Sequence, residues 1–342
     1  MKVFFLVRPN NHPASRYRVL QYLPYLNQHQ INTQVEFFPE TIFGWFKLLK
    51  KVKGADIVFI QKKMINSFWL KRLKKTGTRI IFDVDDAIMF NSSRHPSPDS
   101  PRRMARYIKT VQQCDLVIAG NSYLKSLTEP YNSKVTILPL AIDLTKYPVK
   151  DYSRETDYRL PVTSNQIILG WLGGSKSLFF LKKLLPVLEN LAVQYPRLSL
   201  KIVCNSFLES QKITIIKKQW QEDDEARDIL SFDIGLSVLS DDPWSRGKCG
   251  TKLLQYLAAG IPAIASPVGV HNEIIQNGVN GFLADTPEEW EIKITRLVEN
   301  YILRQTLGLA GREIVEEKYS LDIIAPRLVE ILKTVSGRSG LQ

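Results

Sequence analysis

Short runs of Val, Ile, Phe and Leu recur through the first 140 residues, each followed by a longer stretch with helical spacing. That alternation restricts the fold more than any other feature of the chain. Residues 3–7, 34–38, 56–60, 79–83, 115–119 and 135–138 read as buried strands. Residues 16–28, 43–52, 66–75, 102–113 and 122–129 read as the helices between them, and Pro24 should kink or divide the first. Strands alternating with helices predict a parallel sheet covered on both faces. A second series follows, with strands at 166–171, 198–204, 232–239 and 263–265, helices at 178–194 and 251–259, and mostly helix from 287 to 334. Between the two lies a polar stretch with Pro148, Pro161 and a charged run at 150–159, which reads as a linker. The expected fold class is therefore α/β, with two Rossmann-like domains, 1–145 and 165–318, joined by a linker at 146–164. Their strand carboxyl ends should face a central cleft, where such folds bind ligands.

Charge separates the two halves. Of the 342 residues, the first 150 hold 24 Lys and Arg against 10 Asp and Glu, whereas the remainder hold 22 against 24. The first half therefore suits an acidic partner: nucleic acid, an anionic membrane or a phosphorylated substrate. No apolar run approaches the ~18–20 residues of a membrane span. The first eight residues have too short an apolar core for a signal peptide and read as a strand. Cys114, Cys204 and Cys249 are widely spaced, so neither a disulfide framework nor a zinc site is indicated, and a cytoplasmic location is expected.

The most specific chemistry lies between Ser245 and Ser266, which reads as a basic glycine-containing loop, a helix ending at Gly260 and a short strand. Helix-terminal amides near Gly250 and Thr251, with Arg246, Lys248 and Lys252, suit a diphosphate. Gln255 shares a helix face with Thr251 and Lys252 and could reach ribose hydroxyls. The alternative is a surface helix with a basic start. After the strand at 166–171 comes Gly173-Gly174-Ser175-Lys176, where a backbone can approach a ligand closely.

In the first half, Ser15 could cap a helix whose Arg16 and Arg18 either face a phosphate or are solvated. Asp83, Asp85 and Asp86 crowd a strand end, and hydroxyl binding or ion pairing is a better expectation for them than a metal. Asn121 reads as a helix cap at another strand end. His12 and His95 fall in loops expected to face the cleft, although a solvated loop histidine accounts for each as well. No histidine pair has metal-ligand spacing on one helix, and no cofactor is implied. Residues 42–53 and 67–75 set Phe, Trp and Leu beside clustered lysines. They read either as amphipathic helices for an anionic membrane surface or as helices whose apolar side chains join the core. Nucleic acid is disfavoured, because no binding module or regular aromatic-basic interleaving is present.

At residues 248–262, Pro267-Val268-Gly269, Glu273-Ile274-Ile275 and 277–283, the chain resembles the GT-B-fold glycosyltransferases. In particular it resembles the large retaining group termed GT4, the glycosyl transferases of group 1. Residues 15–24 and 82–88 are similar to a subgroup linked to cell-surface polysaccharides. The resemblance implies a retaining transfer from a UDP- or GDP-linked sugar to a glycan or lipid-linked acceptor, without a bound metal or cofactor. It places the donor on the second half, against Arg246, Lys248, Lys252, Gly173, Gly174, Ser175, Gly250, Thr251, Gln255 and Glu273. The acceptor would meet Arg16, Arg18, Asp85, Asp86, His12, His95 and Asn121. It also implies that a terminal helix, 319–342, crosses back to the first domain, and that the protein works at the cytoplasmic membrane face. One departure is plain: where the family often carries two glutamates eight positions apart, this chain has Gly247 and Gln255. Sugar recognition would then fall to other groups, such as Asp241 or Asp242. A binding protein that has lost catalysis, and an epimerase acting on the nucleotide-sugar alone, are the other readings.

Overall fold

A computed structural model describes residues 1–8, 13–152 and 166–337. The sequence alternation resolves into two wholly parallel sheets of six strands. The first contains β1 (Lys2–Val7), β2 (Asn32–Phe37), β3 (Ile57–Gln61), β4 (Arg79–Val84), β5 (Leu116–Ala119) and β6 (Val135–Ile137), ordered β2-β1-β3-β4-β5-β6. The second contains β7 (Ile167–Leu172), β8 (Leu198–Val203), β9 (Thr214–Lys218), β10 (Ile234–Ser237), β11 (Ala263–Ala265) and β12 (Phe282–Leu283), ordered β12-β11-β10-β7-β8-β9. The direction of winding reverses between β1 and β3 in one sheet and between β7 and β10 in the other. Open α/β sheets bind ligands beyond the strand carboxyl ends at such reversals.

The chain divides into two compact units. One comprises Met1–Ala141, Asp242–Cys249 and Ser320–Gln342; the other comprises Ile142–Asp241 and Gly250–Tyr319. In the first unit Val3, Phe5, Ile57, Phe59 and Ile81 pack with Ile324, Leu328 and Leu332 of the helix Leu321–Val335. In the second, Leu169 and Trp171 meet Leu181, Leu184 and Leu188 of the helix Leu178–Gln194 and Trp290 and Ile294 of the helix Pro287–Glu299. Pro24 divides the first helical stretch as expected, into Pro13–Arg18, a 3-10 turn Leu20–Tyr22 and Leu23–Gln28 with the proline in its first turn.

Residues 146–152 of the expected linker belong to the second unit. Tyr152 Oη donates to the Gly260 carbonyl at 2.8 Å, and Lys150 pairs with Asp233 at 2.5 Å. Residues 153–164 of that linker lie outside the described residues. Two strands go beyond the sequence expectation. β9 is a half-exposed edge strand of mixed polarity and β12 is two residues long, so neither carries a long apolar run.

Candidate functional site

In the second unit, one helix is fixed against the end of β7. Gly235 on β10 has no side chain, and a Cβ there would lie 2.4 Å from the Tyr256 ring. Tyr256 fills that space and its hydroxyl accepts the Leu172 N–H at 2.9 Å, at the end of β7. Burial raises the phenol's pKa, so it remains a neutral hydroxyl. The helix Thr251–Ala258 that carries Tyr256 is thereby docked on the strand end. It begins at Gly250, whose φ of +70° only glycine adopts readily, and a Cβ there would also press on Ile274 at 2.8 Å. In its first turn, the Lys252 ammonium sits 4.1 Å from the centroid of the buried Trp171 ring. A Cβ on Gly173 would lie 3.1 Å from that same nitrogen. The amides at a helix start lie outside the helix's own hydrogen-bond ladder. Gly173, Gly250, Thr251 and Lys252 therefore form one cationic, amide-rich corner at the winding reversal.

Around it, Gly174 and Ser175 are exposed, and the Ser175 hydroxyl accepts from Ser206 at 3.0 Å. Glu273 is exposed on the short helix His271–Ile274. His271 ties the ends of β10 and β11: Nδ1 donates to the Ser266 carbonyl at 2.9 Å and Nε2 faces the Ser237 hydroxyl at 3.1 Å. The sequence reading passed over Tyr256 and His271. Tyr256 lies 21 positions from Gly235 and His271 34 positions from Ser237, so their contacts form only through the fold.

Gln255 departs from expectation. It is 1 % exposed, and its Nε2 donates to Tyr147 Oη at 2.9 Å. Tyr147 in turn donates to Glu225, whose second oxygen takes the Trp220 indole N–H. The amide belongs to a buried network rather than to an exposed ribose-binding face, because the helix rotates position 255 toward the core while 251 and 252 remain half-exposed.

Arg246 and Lys248 group with the first unit, so the unit division runs through the expected diphosphate cradle between Cys249 and Gly250. Within the first unit, residues 242–249 are held at the ends of β4 and β5. Asp242 caps the short helix Pro243–Arg246, the Cys249 thiol donates to the Asp85 carbonyl at 3.2 Å, and Asn121 Nδ2 donates to the Lys248 carbonyl at 3.0 Å. Lys248 Nζ stands 3.7 Å from Asp86 and 5.5 Å from the Trp244 ring centroid, and Arg246 is exposed. A Cβ at Gly247 would lie 2.5 Å from that of Ala87, so no side chain fits at this position without movement.

Three residues expected at a ligand are structural instead. Arg18 is 2 % exposed, paired bidentately with Asp83, and donates to the Leu138 carbonyl at 2.8 Å and that of Pro139 at 3.2 Å. Burial opposes its charge, but Asp83 more than offsets this and its pKa is raised. Asp85 is buried 3.2 Å from Lys62, which also pairs with Asp86; burial again opposes the ammonium and the two carboxylates outweigh it. Asn121 is buried and caps the helix Ser122–Thr128 by accepting from Leu124 N at 2.9 Å, as its sequence position suggested. Ion pairing thus accounts for the three-carboxylate cluster, and no group of metal-ligating side chains is found among the described residues. Arg16 is half-buried with its guanidinium over the Tyr17 ring, and His95 is exposed beside Asn91 and Ser97. His12 lies outside the described residues. At the reversal between β1 and β3 the structure adds groups that the sequence did not single out. Gln61 Oε1 accepts from Ser15 and from the Arg8 N–H, and Lys63 has a lowered pKa through burial and the charges of Arg8 and Arg106.

This two-sheet architecture is that of the GT-B fold. Sucrose-phosphate synthase from Thermosynechococcus elongatus superposes with a TM-score of 0.76 at 15 % identity, covering 99 % of this chain and 100 % of that one. Anabaena HepE, solved with UDP and glucose, does so with 0.74 at 15 % identity, covering 98 % and 100 %. Residues 242–314 match the family described as Glycosyl transferases group 1, and residues 15–135 match the Glucosyltransferase 3-like N-terminal domain. A sucrose synthase from Melioribacter roseus is 39 % identical over 90 residues, which are 25 % of this chain and only 11 % of that synthase's length. Residues 242–314 thus match the group 1 glycosyl transferases, in a chain whose two sheets have the GT-B fold.

Proposed function

We propose that this protein transfers a sugar, with retention, from a nucleotide-diphosphate sugar to a glycan or lipid-linked acceptor in cell-surface polysaccharide or glycolipid assembly in the cytoplasm. The observation that carries the reading is the Lys252 ammonium held between Trp171 and Gly173 beside a helix start at Gly250. The donor's diphosphate sits there, with Thr251, Gly174 and Ser175 around it and Glu273 toward the sugar. HepE, solved with UDP-glucose, supports a uridine nucleotide as the first candidate. In the reaction the bond from the anomeric carbon to the diphosphate breaks, and the acceptor oxygen bonds to that carbon on the same face. The acceptor proton passes to the leaving phosphate. Negative charge grows on the diphosphate, and a preorganised cation with helix-start amides stabilises it where it forms. The reading calls on no cofactor. The acceptor belongs to the first unit, whose basic groups Arg8, Lys63 and Arg106 suit an anionic one.

The test is calorimetry and thermal shift against UDP, GDP, ADP and CMP, followed by nucleotide release from the matching sugar donor. A nucleotide at ~100 times its dissociation constant stabilises the protein by ~2.7 kcal/mol. Lys252→Ala should weaken that binding and lower kcat/KM by ~10²–10³. Full activity in a folded Lys252→Ala protein would remove the assigned role. A second reading, a sugar-nucleotide-binding protein without transferase activity, is favoured by Gly247 and Gln255 at the usual glutamate positions; binding without release of nucleotide would establish it.

A further inference from the structure

Over residues 41–82 the chain holds eleven Lys and Arg and one acid, Asp56. The helices Ile42–Lys51 and Ser67–Lys74 lie side by side, with the Trp45 and Trp69 rings stacked at 5.2 Å. Trp45, Leu48, Leu70 and Leu73 point into the core. This settles one half of the sequence alternative: those apolar residues are packed inside. The other half remains on the surface. Phe43 is 81 % exposed, Ile42 67 %, Phe37 50 %, Phe68 49 % and Phe46 42 %. Large apolar side chains gathered in such a patch mark a binding surface rather than ordinary exposure.

Two features of the patch identify its partner. Phe37 ends β2, Ile42 and Phe43 open one helix, and Phe68 opens the other, so in a parallel sheet the exposed aromatics share the strands' carboxyl edge. Around them stand cations. Arg72 covers Phe68 at 4.4 Å and Phe46 at 5.6 Å, Lys63 covers Phe38 at 4.9 Å, and Lys47, Lys50 and Lys71 are exposed. Neither helix contains an acidic residue. A second copy of the chain would bring like charges together at this face. Aromatic side chains in a cationic rim fit the interface of an anionic bilayer, where rings enter the headgroup layer and cations meet lipid phosphates.

We propose that this face of the first unit docks on an anionic lipid bilayer through Phe43, Ile42 and Phe68, with Lys47, Lys71 and Arg72 against the headgroups. The docked edge is the one that carries Lys63 and Arg8, so a lipid-borne anion would reach the winding reversal from the membrane. None of these residues is among those assigned to the donor, so vesicle binding is read without turnover and stands or falls independently of the transferase reading.

The experiment is co-sedimentation of the full chain with vesicles of phosphatidylcholine alone and with about one-third phosphatidylglycerol. Wild type should bind the anionic vesicles, weakly at high salt, and leave the neutral ones. The Phe43→Ser/Phe68→Ser protein, altered only at exposed positions, should bind about tenfold more weakly, from the apolar area withdrawn. Lys212→Gln, which removes a charge from an exposed lysine of the second unit, should bind as wild type does. Loss of phenylalanine dependence would reduce binding to general charge attraction and overturn the proposal. So would an absence of binding to either vesicle, or a dimer in sedimentation velocity that the double variant dissociates.

Discussion

At the scale of single residues, Arg18 and Asp83 illustrate how a charged side chain near a strand end can serve stability. Both are buried, and each leaves the other unpaired if removed. Arg18→Met should cost ~3–5 kcal/mol in urea unfolding, whereas Arg18→Met with Asp83→Leu should cost much less, because the second change removes the stranded carboxylate. Equal losses in the two proteins would contradict this assignment. Buried phenols carry a pH signature. Burial pushes Tyr22 and Tyr107 up to about 12, and Tyr107 also shares a 2.6 Å hydrogen bond with Thr128. Their folded values lie above the unfolded value near 10. Their contribution is thus complete below about pH 10 and is lost as pH rises toward about 12. Unfolding free energy measured from pH 9 to 12 should fall across that window, and less steeply in Tyr107→Phe. The sequence showed which residue types gather at strand ends, including Gly173 and the aspartates, and that Lys252 opens a helix. It did not show which charges are neutralised in pairs, because Arg18 and Asp83 are 65 positions apart and meet only through the sheet.

Elements were more legible. Short runs rich in Val, Ile, Leu and Phe marked all the strands of the first sheet and the four central strands of the second, most of which are buried on both faces. Edge strands β9 and β12 escaped because one is polar and the other very short. Helix rotation was legible only in part: spacing placed Gln255 with Thr251 and Lys252, while packing turned it toward Tyr147. The helix Tyr301–Lys318 offers a check on packing at this scale. A Cβ at Gly308 would lie 2.1 Å from the Gly260 carbonyl oxygen and 2.8 Å from the Tyr152 hydroxyl. Gly308→Ala should therefore destabilise by ~1–3 kcal/mol through displaced backbone, outweighing the gain in helix propensity. Gly174→Ala, with open space around its Cβ, should leave the unfolding midpoint unchanged. A Gly308→Ala protein as stable as its parent would mean that the two segments do not press together.

At the scale of the whole molecule, the chain passes between its two units four times, after Ala141, Asp241, Cys249 and Tyr319. The alternating pattern announced two units, and the polar stretch near 150 announced a join, but nothing in periodicity signals that eight residues from the middle of the second series belong with the first. Ile324, Leu328 and Leu332 are fully buried in the first unit's core. A fragment of residues 1–141 should thus lack a cooperative thermal transition, and a peptide of residues 320–337 added in trans should restore one; cooperative melting of the fragment alone would refute this. The same weave governs how such a protein can be recombined. A chimaera exchanging 142–319 as one block would import a foreign 242–249 against Asn121, Asp85 and Ala87. Exchanging the second unit while keeping the first intact therefore requires two separate inserts, 142–241 and 250–319, with the host's own octapeptide left between them.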